Sequence, residues 1–233
     1  MSDSILNYII SNFNFSQTLL IIFLMVILSY LSKWYSILAL RIPFFKYLTF
    51  IGIFTHEFSH YLMCKLTGAK VGRFQVKLHH GYVAHGKSKL PIIGKMMISL
   101  APFFVGLILL VILVITITNT SLAEFNNLAK SINIDNFNNE ILSLIKKVEI
   151  NLWFFLWLYL FLNLLITFVP SKRDLKNIIL GLVLYFLIAG FFLPGLNQFL
   201  MFSLILAIIF VIIGLLMVVL FNIIQLIIIK PFK

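Results

Sequence analysis

Long apolar runs separated by short polar segments dominate the chain. A membrane-spanning helix needs about 20 largely apolar residues to cross the hydrocarbon of a bilayer, and six runs are close to or above this length. The pattern therefore predicts an all-α polytopic membrane protein with about six transmembrane helices. The predicted helices are 18–40, 47–66, 91–117, 151–170, 175–193 and 198–229.

The segment 68–90 breaks this pattern. It is basic and punctuated by glycines, and apolar side chains partly alternate along it at Val71, Phe74, Val76 and Leu78. Alternation with a period of two is typical of strands. We therefore expect a small membrane-associated β segment of short strands directly after the second helix.

A second polar segment, 119–149, holds four of the seven acidic residues and several asparagines. We interpret it as an extracytoplasmic excursion, part of which is an amphipathic helix on the bilayer surface. The chain shows no internal repeat and no low-complexity linker. We therefore interpret 1–233 as a single membrane domain with a core at 47–174 and two further transmembrane helices at 175–229.

The composition supports a membrane protein and excludes a soluble one. Hydrophobic residues make up 62% of the chain and charged residues only 11%, whereas soluble domains are about half apolar and a quarter charged. The net charge of +11 does not indicate nucleic acid, because the basic residues lie mostly in short segments between apolar runs. We expect the lipid bilayer, and no nucleic acid, as a partner.

The same basic residues predict an orientation. Lysine and arginine accumulate in cytoplasmic loops, and twelve of the eighteen fall on one side when 68–90 lies inside. We therefore expect 68–90 and the active site to face the cytoplasm. As for the membrane, we expect an integral protein of the plasma membrane of a prokaryote. The twelve are Lys65, Lys70, Arg73, Lys77, Lys87, Lys89, Lys95, Lys172, Arg173, Lys176, Lys230 and Lys233.

One motif in the second predicted helix carries chemistry, the sequence His-Glu-Phe-Ser-His at 56–60. Residues four apart share a helix face, so His56 and His60 can ligate one metal ion. Glu57 lies beside them, placed to act as general base on a water that the ion activates. Ionisable residues within a membrane segment are functional by default. We predict one zinc ion per chain.

A catalytic zinc usually has three protein ligands and an open position. Glu124, Glu140 and Glu149 lie in the excursion on the opposite side of the membrane. Asp174 follows two further crossings and so returns to the side of the motif. Membrane sidedness and ligand chemistry therefore both favour Asp174 as the third ligand.

These residues resemble the site-2 protease family of intramembrane zinc metalloproteases. That family combines HExxH on one membrane helix with an aspartate near the cytoplasmic end of a later helix. The matching stretches here are 55–60 and 163–165, the latter leading to Asp174, and the resemblance covers about 50–174, roughly half of the chain. It implies a metalloendopeptidase with catalytic Glu57 and a core that is metalloprotease-like.

The resemblance also implies roles for further residues. Gly81, Tyr82 and Val83 are similar to the family's membrane-dipping strand region, which is thought to pair with an unwound substrate. Asn163 matches a supporting polar position. The chain departs from the family where Arg-Asp-Leu replaces the usual Leu-Asp-Gly at Asp174, in a Pro-Ser-x-x-Asp stretch typical of a divergent branch.

The resulting hypothesis is a zinc-dependent endopeptidase that cleaves membrane-spanning segments of protein substrates near the cytoplasmic face. Three alternatives remain: a metal transporter, a non-catalytic zinc-binding membrane protein, and a membrane zincin whose third ligand is a glutamate. The remaining histidines, His79, His80 and His85, lie in the loop or strand region, where we expect them to be solvated or structural. Nothing in the sequence sets an oligomeric state.

Overall fold

The structure is a computed structural model that describes residues 15–40, 42, 49–78, 80–91, 93–131, 137–169, 171, 174 and 194–228. Within these residues the chain is mostly helical, with seven helices and one two-stranded sheet. The helices are α1 (Phe15–Ala39), α2 (Phe50–Leu66), α3 (Ile93–Ile117), α4 (Leu122–Ser131), α5 (Phe137–Lys146), α6 (Leu152–Thr167) and α7 (Pro194–Ile228). The strands are β1 (Val71–Val76) and β2 (Gly81–His85).

Three of these helices are long and apolar enough to cross a membrane. The crossing stretches are Leu19–Ala39 in α1, Ile93–Ile117 in α3 and Gln198–Ile224 in α7. The predicted number of six is not confirmed. Helices α2 and α6 have 17 and 16 residues, fewer than the roughly 20 that a full crossing needs. The predicted helix at 175–193 lies outside the described residues.

Helix α2 ends at a glycine that turns the chain toward the sheet. Gly68 has a φ of 68°, a left-handed conformation that glycine adopts without steric cost. The Ala69 N–H donates to the Cys64 carbonyl at 2.8 Å and the Gly68 N–H to the Lys65 carbonyl at 3.2 Å. This pattern is a Schellman motif, which satisfies carbonyls at a helix end. It explains why the apolar helix stops and the strands begin.

The strands expected in 68–90 are present as an antiparallel pair. Phe74 pairs with Val83 and Val76 with Gly81, and an irregularity interrupts the register between Val71 and Phe74. The Phe74 ring contacts the rings of Phe54 and Tyr61 on α2. These aromatic contacts hold the hairpin along α2.

The polar segment 119–149 contains the two short helices α4 and α5. Helix α4 begins with a capping box, in which Ser121 and Glu124 each bond the other's main-chain N–H with their side chains. Phe125 is fully buried and contacts Phe199 and Phe202 of α7. The segment therefore packs on the helical core through at least one of its helices.

Helix α2 packs between α3 and α6, and α1 packs along α7. The contact between α2 and α6 is very close at Gly52, where an added Cβ would lie 2.0 Å from the Asn163 main-chain oxygen. Asn163 Oδ1 also accepts a hydrogen bond from the Gly52 N–H at 3.4 Å. That N–H lies in the first turn of α2, where main-chain donors lack partners within the helix. Gly52 thus sets the distance between the two helices.

We expect Gly52→Ala to destabilise the fold, although alanine is the better helix former. The new methyl group meets main chain, which cannot move without separating α2 from α6, so the free energy of unfolding should fall by about 1–3 kcal/mol. Unfolding of the detergent-solubilised variant measures this. Gly72→Ala is the control, because its Cβ would lie 3.5 Å from the nearest atom. Equal stability of both variants would contradict the close packing.

Candidate metal centre

His56 and His60 lie one turn apart on α2 and point to a common position. Their Nε2 atoms are 3.2 Å apart. His60 is buried, with 8% of its surface exposed. The helical spacing of the HExxH motif therefore places both imidazoles on one face, as its periodicity predicts.

Main-chain carbonyls orient the two rings. His56 Nδ1 lies 2.9 Å from the Thr167 carbonyl oxygen of α6, and His60 Nδ1 lies 2.7 Å from the Ile98 carbonyl oxygen of α3. A carbonyl oxygen only accepts hydrogen bonds, so each Nδ1 must carry the proton and donate it. When the rings are neutral, each Nε2 then has its lone pair available for a metal ion. Hydrogen bonds of this kind commonly fix the tautomer of ligating histidines.

Asp174 completes a group of three possible ligands. Its Oδ2 lies 3.6 Å from His60 Nε2, and one ligand atom from each of His56, His60 and Asp174 lies within 4.8 Å of the others. In the sequence, Asp174 lies far beyond Leu66, the last residue of α2. Only the fold therefore brings this carboxylate to the histidines.

Ser171 holds the Asp174 carboxylate in place. The Ser171 N–H and hydroxyl both donate to Asp174 Oδ2, at 3.0 and 2.5 Å, and the Asp174 N–H donates to the Ser171 hydroxyl at 3.1 Å. Burial raises the pKa of the Asp174 carboxyl, but the interactions with His60 and Ser171 outweigh it and lower the pKa to about 2. The carboxylate is therefore ionised at neutral pH, as a metal ligand must be.

The three donors are of types that a metal ion such as zinc accepts. The two Nε2 atoms are 3.2 Å apart, and His56, His60 and Asp174 could together hold one ion. Two imidazoles and a carboxylate also make a donor set typical of catalytic zinc, which keeps a further position open.

A cavity of about 560 Å³ adjoins the three donors. Glu57 lines it together with His56, His60 and Asp174. The Glu57 side chain lies against the first residue of β2, since a Cβ added to Gly81 would be 2.4 Å from Glu57 Cγ. The absence of a side chain at Gly81 therefore gives Glu57 its space beside the three candidate ligands.

Most of the other residues singled out in the sequence line the same cavity. Gly81, Tyr82 and Val83 contribute β2 to its wall, and His85 follows on the same strand. His80 is not among the lining residues, and His79 lies outside the described residues. The structure thus brings the proposed substrate strand next to the proposed ligands.

Asn163 lies outside the metal-centre cavity. It is almost fully buried between α2 and α6, where its side chain bonds the Gly52 N–H and the Tyr159 carbonyl, and it is not among the cavity-lining residues. Its contacts support the site indirectly, because they hold together the helices that carry His56 and Thr167.

Sequence reasoning missed three groups that shape the site. The Thr167 and Ile98 carbonyls orient the histidines, and no sequence signal marks them, because every residue has a carbonyl. Ser171 did carry a signal. The Ser-x-x-Asp sequence at 171–174 has the spacing of a capping box. That spacing predicts hydrogen bonds between Ser171 and Asp174.

The glutamate alternative for the third ligand finds no support among the described residues. Glu124 caps α4, and Glu149 lines a different cavity together with Lys147. In the part of the chain that the structure describes, the only group of three or more possible metal ligands contains no glutamate.

Comparison with known proteins agrees with the resemblance seen in the sequence. Residues 18–126 match a family model described as Peptidase M50B-like. The matched residues include His56, Glu57 and His60 and end before Asp174. No curated protein and no solved structure matches the chain.

Proposed function

We propose that the chain is a zinc-dependent intramembrane endopeptidase. The proposal is supported by the Peptidase M50B-like match over residues 18–126, which agrees with the resemblance to the site-2 protease family. The match and the three apolar helices indicate a membrane protein. The proposed substrates are membrane-spanning segments of other proteins, cleaved near the cytoplasmic face. His56, His60 and Asp174 are the proposed zinc ligands, and Glu57 the proposed general base.

One observation carries the proposal most directly. Three ligand atoms of types that zinc accepts lie within 4.8 Å of one another, and the cavity beside them is also lined by a glutamate. A structural zinc site is closed by four protein ligands, whereas a catalytic site keeps a position open for water or substrate. Three candidate ligands among the described residues, next to a cavity, fit the catalytic type.

Zinc bound to these ligands would supply a Lewis acid that polarises the scissile carbonyl and lowers the pKa of a water. Glu57 lines the same cavity and takes a proton from the attacking water. The water oxygen bonds to the carbonyl carbon, and the bond from that carbon to nitrogen breaks. Glu57 then returns the proton to the leaving amine. His56 and His60 remain oriented by the Thr167 and Ile98 carbonyls.

Strand β2 supports the choice of a peptide substrate. Among the described residues β2 pairs only with β1, and none of them pairs as a strand with its other edge. An extended peptide can add to such an edge by backbone hydrogen bonds. Because a helical substrate keeps its carbonyls in its own hydrogen bonds, local unwinding onto β2 would expose one beside Glu57.

The charge around the cavity supports a cytoplasmic opening. Lys87 and Lys95 are exposed and line it, and basic residues accumulate on the cytoplasmic side of membrane proteins. We therefore propose that water reaches the site from the cytoplasm of a prokaryote, with the protein in the plasma membrane.

Metal transport is less well supported than peptide cleavage. A transporter needs successive polar sites along a path through the membrane. In the described portion of the chain a single candidate metal group is found. A peptidase needs only that one site, a general base and a place for an extended peptide.

A test of peptidase activity does not require a known substrate. The wild-type chain, the Glu57→Gln variant and an empty vector are expressed in otherwise identical bacterial cells. New protein ends in the membrane fraction are then labelled and sequenced by mass spectrometry. We expect ends within or near predicted membrane spans of host proteins that occur with the wild type alone.

The three cultures separate the possible outcomes. Ends found with both the wild type and Glu57→Gln would support a peptidase but contradict the role of Glu57. If the wild type, shown to be present in the membrane and folded, produced no ends beyond those of the empty vector, the peptidase proposal would be contradicted for these host proteins.

A further inference from the structure

We propose that Ser171 is a positioning residue that holds the Asp174 carboxylate toward the two histidines and so strengthens metal binding. The inference rests on the metal site proposed above. It concerns a side chain that need not touch the ion or the substrate, and it gives a function to the divergent Pro-Ser-x-x-Asp stretch.

The contacts between the two residues are reciprocal. The Ser171 main-chain N–H and hydroxyl both donate to Asp174 Oδ2, and the Asp174 N–H donates back to the hydroxyl. Two donors on one carboxylate oxygen restrict the position of that oxygen. That oxygen is also the one 3.6 Å from His60 Nε2.

Because the Asp174 carboxylate is buried, its hydrogen bonds with Ser171 matter more than they would at the surface. Asp174 is buried, with 6% of its surface exposed, whereas Ser171 is exposed. A carboxylate that is removed from water needs hydrogen bonds to replace its hydration. Without the Ser171 hydroxyl, the carboxylate would retain one of its two bonds to Ser171 and would be less restricted beside His60. Loss of such a partner of a metal ligand typically weakens metal binding by about 10–100-fold.

A purely structural role for Ser171 is the main competing explanation. The same three bonds follow the pattern of a capping box, which can stabilise the local chain conformation whether or not a metal binds. The chain supplies a matched control in Ser121, which forms a capping box with Glu124 at the start of α4. Neither Ser121 nor Glu124 lines the cavity at the metal centre.

The experiment measures zinc affinity in detergent-solubilised protein by competition with a chelating dye. The variants are Ser171→Ala, Ser171→Thr and Ser121→Ala, each compared with the wild type. Thermal unfolding of each metal-free protein reports the effect on the fold alone. We expect Ser171→Ala to raise the zinc dissociation constant about 10–100-fold. Ser171→Thr, which keeps the hydroxyl, should restore most of the affinity, and Ser121→Ala should leave it unchanged.

The Ser121→Ala control separates positioning of Asp174 from a purely structural effect, because it removes a capping hydroxyl that does not line the metal-centre cavity. Unchanged zinc affinity in Ser171→Ala would overturn the inference, and lowered thermal stability of that metal-free variant would then leave Ser171 with a structural role alone. Absence of zinc from the folded wild type would instead overturn the metal site itself.

Discussion

Replacing Glu57 by glutamine should nearly abolish peptide-bond cleavage and leave metal binding intact. Glutamine has almost the same shape as glutamate but cannot accept the proton of the attacking water. General acid–base catalysis typically contributes about 10²–10⁴-fold, and kcat should fall by about this factor. The measurement is the cleavage rate of a substrate identified from the membrane-protein ends, with zinc content determined on the same samples.

The surroundings of Glu57 explain why zinc should remain. Glu57 is not one of the three grouped ligands, and its side chain packs against Gly81, so the substitution changes neither the ligands nor the volume at this contact. Glu140→Gln is a matched control, because Glu140 lies on α5 and does not line the metal-centre cavity. Wild-type cleavage by Glu57→Gln would refute the general-base assignment.

Local periodicity made the first part of the site predictable. The four-residue spacing of His56 and His60 is a property of any helix, and the structure places the two Nε2 atoms 3.2 Å apart. Asp174 was chosen because it should lie on the same side of the membrane as the histidine motif, an argument that does not specify a distance. The structure places a carboxylate oxygen of Asp174 within 4.8 Å of the histidine nitrogens. Its role as a ligand remains a prediction until metal binding is measured.

Long-range packing made the rest unpredictable. Whether the Thr167 and Ile98 carbonyls reach the histidines depends on how α6 and α3 are placed against α2. The same holds for the contact of Gly81 with Glu57, which depends on where the hairpin packs. None of these contacts has a sequence pattern, because each joins residues that are far apart in the chain or involves main-chain atoms.

The fold also has features that the sequence predicted and features that it did not. The helical class follows from the length of the apolar runs and the short strands after α2 from the alternation of apolar residues, and both are present. The predicted number of six crossings is not confirmed. The apolar runs of α2 and α6 form helices of only 17 and 16 residues, and run length in the sequence does not fix helix length to within a few residues.

Replacing His60 by alanine should remove zinc from the protein. The variant loses one of three ligand atoms, and the remaining His56 and Asp174 would hold the ion with two. It also loses the bond between His60 and the Ile98 carbonyl, so thermal unfolding must show that the variant still folds. His85→Ala is the matched control, because His85 lines the same cavity but is not one of the grouped ligands.

The most direct test of the metal centre is the zinc content of purified, detergent-solubilised wild type, His60→Ala and His85→Ala, measured by elemental analysis. We expect about one zinc ion per chain in the wild type and in His85→Ala, and a large loss in folded His60→Ala. A folded wild type that binds no zinc when the metal is supplied, or a His60→Ala variant that keeps it, would contradict the proposed site.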